Sequence, residues 1–155
     1  MQGDKQVIER LNTLLAGELS AIDQYFIHSR MYENWGFNKL FERIHHEVQD
    51  ETDHATALIK RILFLEGTPN MVKREPLQIG VTVPEMLAND LAVELSVINA
   101  LREVMAYCES VRDFQTREIL CQLLQDTEED HAHWLEQQLG MIEKVGLQNY
   151  LQAQM

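Results

Sequence analysis

The chain has only two cysteines, Cys108 and Cys121, in 155 residues. Two thiols cannot build a multi-disulfide framework or a four-thiolate metal site, so free thiols in a reducing compartment are expected. Proline is almost as scarce, and all three, Pro69, Pro76 and Pro84, fall in one stretch. The seven glycines lie at the N-terminus, at Gly17 and Gly36, between Gly67 and Gly80, and at Gly140 and Gly146. Elsewhere few residues would interrupt a helix. Strand-type alternation is missing, which argues against a sheet. No apolar run reaches the ~18 residues of a membrane span. The N-terminal "MQGDKQVIERL" has no apolar core of a leader peptide, so a cytoplasmic protein without a membrane partner is expected. Basic residues are few, 13 against 25 acidic ones, leaving a net charge of -12. Such a surface disfavours nucleic acid and suits attraction of cations.

What the chain does have is long helical patterning, with apolar residues recurring at steps of three and four. The pattern predicts a helix over 4–34, ending where Asn34 and Gly36 supply turn chemistry. A second covers 38–65 and stops at "LEGTPN". After the long connection "GTPNMVKREPLQIGVTV", a third begins near Pro84, a residue suited to a first helical turn, and runs to about 111. A fourth covers 115–144, and "LQNYLQAQ" forms a short fifth. Helices of about 30 residues span roughly 45 Å. The short connections make the first and second pairs antiparallel, and the long one lets the second and third helices run parallel. The expected fold is all-α: one domain over 1–155, a four-helix bundle with one long crossover.

Each apolar stripe is broken near mid-length by a glutamate. The first helix carries Leu11, Leu15, Glu18, Ile22 and Tyr25. The second carries Leu40, Ile44, Glu47, Glu51, His54, Leu58 and Ile62. The third carries Leu87, Leu91, Glu94, Ile98 and Leu101, and the fourth Leu120, Leu124, Glu128, His131 and Leu135. Glu47, a turn before Glu51, reads as a boundary residue reaching for water. Glu18 to Glu51 is 33 residues and Glu94 to Glu128 is 34, so two similar hairpins bring these positions to matching heights. Glu51–His54 and Glu128–His131 are both Glu-x-x-His, and residues three apart share a helix face. Four carboxylates and two imidazoles are therefore expected to converge inside one bundle. Carboxylates so close repel one another unless cations offset their charge. Carboxylate with imidazole and no thiolate suits iron, manganese or zinc. A Glu from each of two helices plus two Glu-x-x-His motifs is a di-iron carboxylate pattern.

At these residues the chain resembles the bacterioferritins. The match runs end to end, through "GD", "VI", "LN", "QYF", "RM" and "NWG" in the first helix, "RILFLEG" and "PN" closing the second, "EML" and "DLA" opening the third, and "GLQNYLQAQM" at the C-terminus. The resemblance implies ferroxidase activity and iron storage: Fe(II) is oxidised by O2 or H2O2 at an intrasubunit di-iron centre, and the mineral is kept in a hollow shell of two dozen subunits. It also implies a ferredoxin as reductant of the store. Carried over position by position, Glu18, Glu51 and His54 bind one iron, Glu94, Glu128 and His131 the other, and Glu51 and Glu128 bridge. Tyr25 matches the family's tyrosine beside the centre, and His46 and Asp50 its inner-surface iron site.

One departure stands out. The family's haem-ligating methionine follows the second-helix glutamate, as in "DEMKH", and here the stretch reads "DETDH". Thr52 offers a hydroxyl, a poor axial ligand beside a thioether. The chain thus resembles the haem-poor type of subunit, with haem b not expected in a homomeric shell and a haem-binding partner subunit able to share a mixed one. Two other readings compete. One is a different di-iron oxidase or peroxidase, though two cysteines cannot supply a rubrerythrin's thiolate iron module. The other is a cage subunit that buffers metal without catalysis. Asp50, Asp90 and Asp126 are the candidates to orient His54 and His131.

Overall fold

The computed structural model describes residues 1–155. Its elements are α1 (Lys5–Trp35), α2 (Asn38–Phe64), α3 (Val83–Ser110), α4 (Phe114–Asp126), a π-helical turn (Thr127–Ala132), α5 (His133–Val145) and α6 (Leu147–Ala153). The π turn joins α4 to α5 directly, so the two form one rod. No element is a strand, and no helix is long and apolar enough to cross a membrane.

Local chemistry sets the helix ends. Asp4 caps α1, its carboxylate accepting from the N–H groups of Gln6 and Val7 at 2.8 and 3.1 Å. Gly36 ends that helix at φ 83°, a left-handed conformation open to glycine at little cost. Thr82 caps α3, with Pro84 in its first turn. Asp113 caps α4 through Thr116.

The segment between α2 and α3 has no regular structure, and α1 holds it down. Asn70 N–H donates to Asn12, Glu75 N–H to Ser20, Gln78 N–H to Gln24 and Gly80 N–H to His28. These partners ascend together in number, so the connection runs alongside α1 in its direction and delivers α3 to the far end of the bundle. Pairs such as Gln24–Asp90 and Tyr107–Asp4 show α3 antiparallel to α1. The architecture is a four-helix bundle with one long crossover and a short C-terminal helix, as the apolar periodicity predicts.

Apolar burial falls into two layers. One holds Val7, Leu11, Leu15, Leu58, Ile62, Leu101 and Leu120. The other holds Tyr25, Tyr32, Leu40, Ile44, Met86, Leu87, Leu135 and Tyr150. Full burial of one large apolar side chain contributes roughly 1.5–3 kcal/mol. Between the layers lies a belt of buried Glu18, Glu51, His54, Glu94 and His131. The layers clamp the belt from both ends and supply the stability that its desolvation costs.

Candidate metal centre

Three parallel or antiparallel rods and one π turn place the belt. Glu18 stands on α1, Glu51 and His54 on α2, Glu94 on α3, and His131 on the π turn. Their ligand atoms form two overlapping groups, Glu18–Glu51–His54 and Glu51–Glu94–His131, each with its atoms within 4.8 Å of one another. Glu51 belongs to both. His54 Nδ1 lies 3.6 Å from Glu51 and 3.9 Å from Glu18. His131 Nδ1 lies 2.8 Å from Glu51 and 3.5 Å from Glu94. The two imidazoles stack with centroids 5.6 Å apart. Tyr25 donates its hydroxyl to Glu94.

These groups meet without satisfying one another. Glu18 Oε2, Glu51 Oε1, His54 Nδ1 and both His131 nitrogens are buried and lack a hydrogen-bond partner. Buried polar atoms normally find one. Lone pairs aimed into a shared space are what divalent cations require, so the residues present fit metal ions.

The electrostatics agree. Burial, then the charge of Glu51, raises the Glu18 carboxyl well above its usual range. The same two causes push Glu94 up to about 7, partly offset by His131 and Tyr25. Burial also opposes ionisation of Glu51, but contacts with Glu18, His131 and His54 prevail and hold it well below the usual carboxylate range. Burial disfavours the His131 cation, yet Glu47, Glu51 and Glu94 surround it and raise its affinity for protons far above the ordinary histidine value. His54 shifts up as well, with Glu51 outweighing burial. Glu18, Glu94, His54 and His131 all have raised proton affinity, so a metal ion binding there would compete with protons.

Other sequence-identified residues fall in varied places. Glu128 does not join the cluster. Its carboxylate accepts from Arg102 at 2.7 Å and its side chain is 38% exposed. The cause is the π turn. Residues three apart on an α-helix stand roughly 60° apart around the axis. The i→i+5 bonding of a π turn advances less per residue and spreads that angle. His131 faces inward, and Glu128 is carried out. Glu47, expected at a boundary, is instead buried, with Oε2 at 2.7 Å from His131 Nε2 and Oε1 accepting from Arg43 at 2.7 Å. Asp126 lies 3.1 Å from His54 Nε2 and Asp50 3.5 Å from His131 Nε2. Asp90 is not at the centre. It takes a hydrogen bond from Gln24 and pairs with His28 at 2.8 Å. His46 Nε2 stands 3.6 Å from Asp50, with its side chain 65% exposed. Thr52 is exposed and donates to the Val48 carbonyl at 2.7 Å. Sequence reasoning missed Glu47 and the turn, although the 34-residue spacing against 33 signals one extra residue.

Comparison with known proteins supplies the context. The family model described as a ferritin-like domain matches residues 8–145. A bacterial ferritin of Synechocystis sp. is 60% identical over 155 residues, covering 100% of this chain and 99% of its own. A bacterial ferritin of Pseudomonas aeruginosa is 60% identical over 154 residues, covering 99% of each. A bacterioferritin of Mycobacterium avium is 41% identical over 150 residues, covering 97% of this chain and 94% of its own.

Proposed function

From its place in the ferritin-like family, to which the chain belongs as a bacterioferritin-type member, we propose that this protein is a ferroxidase subunit that oxidises Fe(II) and stores the product. The observation that carries the reading is the sharing of Glu51 by two buried carboxylate–imidazole groups. One carboxylate common to both positions holds two Fe(II) ions close together. Each gives one electron, and the pair reduces one molecule of O2 or H2O2 by two electrons. The protein acts as a template that fixes the two ions among buried side chains. Tyr25 fixes the direction of the Glu94 carboxylate by its hydrogen bond. Asp126, hydrogen-bonded at the far nitrogen of His54, orients that imidazole, and Glu47 and Asp50 flank the far nitrogen of His131 at 2.7 and 3.5 Å. Hydrolysis of Fe(III) releases protons, and the acidic surface, net charge -12, draws cations in. His46 and Asp50 form an outlying iron position on the α2 surface.

The reading carries with it a cytoplasmic shell of two dozen subunits, able to admit a haem-binding subunit and served by a ferredoxin reductant. Large apolar side chains left uncovered support assembly, among them Phe26, Phe64, Val72 and Val81.

Stopped-flow absorbance after mixing the metal-free shell with Fe(II) in air tests the activity. Rapid oxidation followed by slower mineral growth is expected. Glu18→Ala, Glu94→Ala and His131→Ala should each abolish the fast phase, because each removes a group that would hold the metal directly, while the shell still assembles. Near-normal fast oxidation in all three would overturn the assignment. Stoichiometric binding with only background oxidation would make the protein a metal buffer.

A further inference from the structure

We infer that His28 and Gly80 form a pH-sensitive latch. It holds the end of the crossover and the first turn of α3 while His28 is neutral, and releases them when the ring takes up a second proton. The latch works without metal and stands apart from the ferroxidase reading.

His28 is fully buried on α1. Its Nε2 accepts from the Gly80 N–H at 3.2 Å. A backbone amide nitrogen can only donate, so Nε2 carries no proton and the neutral ring keeps its hydrogen on Nδ1. Nδ1 then donates to Asp90 Oδ1 at 2.8 Å. Gln24 donates to the same oxygen at 2.8 Å and accepts from the Gln78 N–H at 3.0 Å. Two residues of α1, one turn apart, thus grip the crossover on one side and α3 on the other. Gly80 has no slack. It is buried, and a Cβ added to it would lie 2.6 Å from Met86 N and 2.9 Å from the Glu85 carbonyl carbon. Its backbone is therefore pressed against the first turn of α3. Thr82 caps that turn by accepting from the Glu85 N–H at 3.4 Å, and Glu85 accepts from the Val81 N–H at 3.0 Å. Gly80 cannot shift without moving the start of α3.

A second proton on His28 reverses the sense of one bond. Nδ1–H keeps its acceptor, and the charge strengthens its contact with Asp90. Nε2 becomes a donor and faces the Gly80 N–H, donor against donor, with both groups buried. The surroundings leave the charge to this pair. Burial raises the Asp90 carboxyl above its usual range and Glu47 on α2 adds to the rise, while the bonds from His28 and Gln24 act against it. Tyr32, one turn beyond His28, is kept protonated by burial, then by Asp90 and by Tyr150 on α6. Burial, Glu94 and Asp90 do the same for Tyr25. Both phenols therefore stay neutral. Histidine is the side chain whose ordinary charge change falls between about pH 5 and 8, so loosening is expected toward acid pH. Asp90 stands one turn before Glu94, and Gln24 precedes Tyr25. The latch thus braces the same α1–α3 contact as the Tyr25–Glu94 bond.

Hydrogen exchange of the full-length, metal-free protein between about pH 5 and 8, read by mass spectrometry and corrected for intrinsic amide rates, tests this. Protection over residues 78–86 should fall roughly five- to tenfold toward the acid end, the size of one net hydrogen bond. The buried turns of α2 around Leu58 and Ile62 should lose none there. The raised carboxyls of Glu18 and Glu94 make the metal-free protein more stable at lower pH, so general unfolding runs the other way. His28→Gln offers an amide that accepts from Gly80 and donates to Asp90 without titrating, so its protection should stay flat with pH. Asp90→Asn keeps an acceptor for both donors but removes the charge that favours the second proton. Its loosening should begin at a lower pH. Constant protection in the unmodified protein, or the same acid loss in His28→Gln, overturns the latch. If His28→Gln fails to fold, Asp90→Asn decides, and loosening at an unchanged pH overturns it.

Discussion

Glu94 couples the centre to pH. Burial and the charge of Glu51 lift its carboxyl from 4.5 to about 7. A carboxyl raised by folding contributes stability while protonated. That contribution is complete below its unfolded value and is lost as pH rises through the folded one. Glu18 shifts in the same direction. Glu51, lowered, contributes above its unfolded value and stays constant through this window. His131, raised from 6.5, begins to lose its contribution above that value. All the changing contributions have one sign, so the metal-free protein should lose on the order of 3 kcal/mol between about pH 5.5 and 7.5. Divalent ions replace the protons, and their affinity should rise over the same interval. Thermal midpoints of chelator-treated and metal-loaded protein across this range provide the check. Metal-free protein that gained stability towards pH 7.5 would contradict the assignment.

Among the elements, the helix ends bear the clearest conformational demands. Gly36 at φ 83° admits no side chain without strain. Nothing crowds its missing Cβ, so the backbone alone resists substitution. Gly36→Ala should lower stability by about 1 kcal/mol. Arg112, past the end of α3, holds φ 64° with a side chain present. Arg112→Gly should therefore relieve strain, with a gain of about 0.5–1 kcal/mol reduced by the added freedom of the unfolded chain. Denaturation midpoints of the two variants should move in opposite directions. The break at Gly146, φ 84°, turns α6 away from α5. Tyr150 then buries its ring and donates to Gln138 at 2.7 Å, which ties down a helix too short to persist alone.

At the scale of the whole molecule, the expectation about haem turns on Thr52. Thr52 is exposed on α2 with its hydroxyl turned back to Val48, and Gln49 is bonded to Asp53 beside it. Purified as a single kind of subunit and mixed with haem, the protein should show no stoichiometric bis-thioether spectrum. Thr52→Met should give partial haem binding, because the polar Gln49 and Asp53 still oppose an apolar macrocycle. A full bis-thioether spectrum from the unmodified protein would point to another methionine, such as Met31. Without haem, electron delivery to the mineral should be slower unless a haem-binding subunit shares the shell.

The sequence by itself determined the helix spans, the antiparallel hairpins, the long crossover and the height of the polar belt. Apolar periodicity at 3.6 residues, interrupted by Glu18, Glu51 and Glu94 at matching depths, specifies all of these wherever the helix is regular. Scarce proline and glycine leave little else for the backbone to do. Only the tertiary structure decided which acids face inward on the last rod. A Glu-x-x-His pattern implies a shared face only if the rotation per residue stays constant, and the π turn changes it. That turn is chosen by packing: His131 must reach the belt and Leu135 the apolar layer across a hairpin one residue longer than its counterpart. The same constraint buries Thr127, releases Glu128 to Arg102, and draws Glu47 in beside His131. Pattern alone could not assign these roles, because a local change of hydrogen-bond register reorients side chains while leaving their order in the chain untouched.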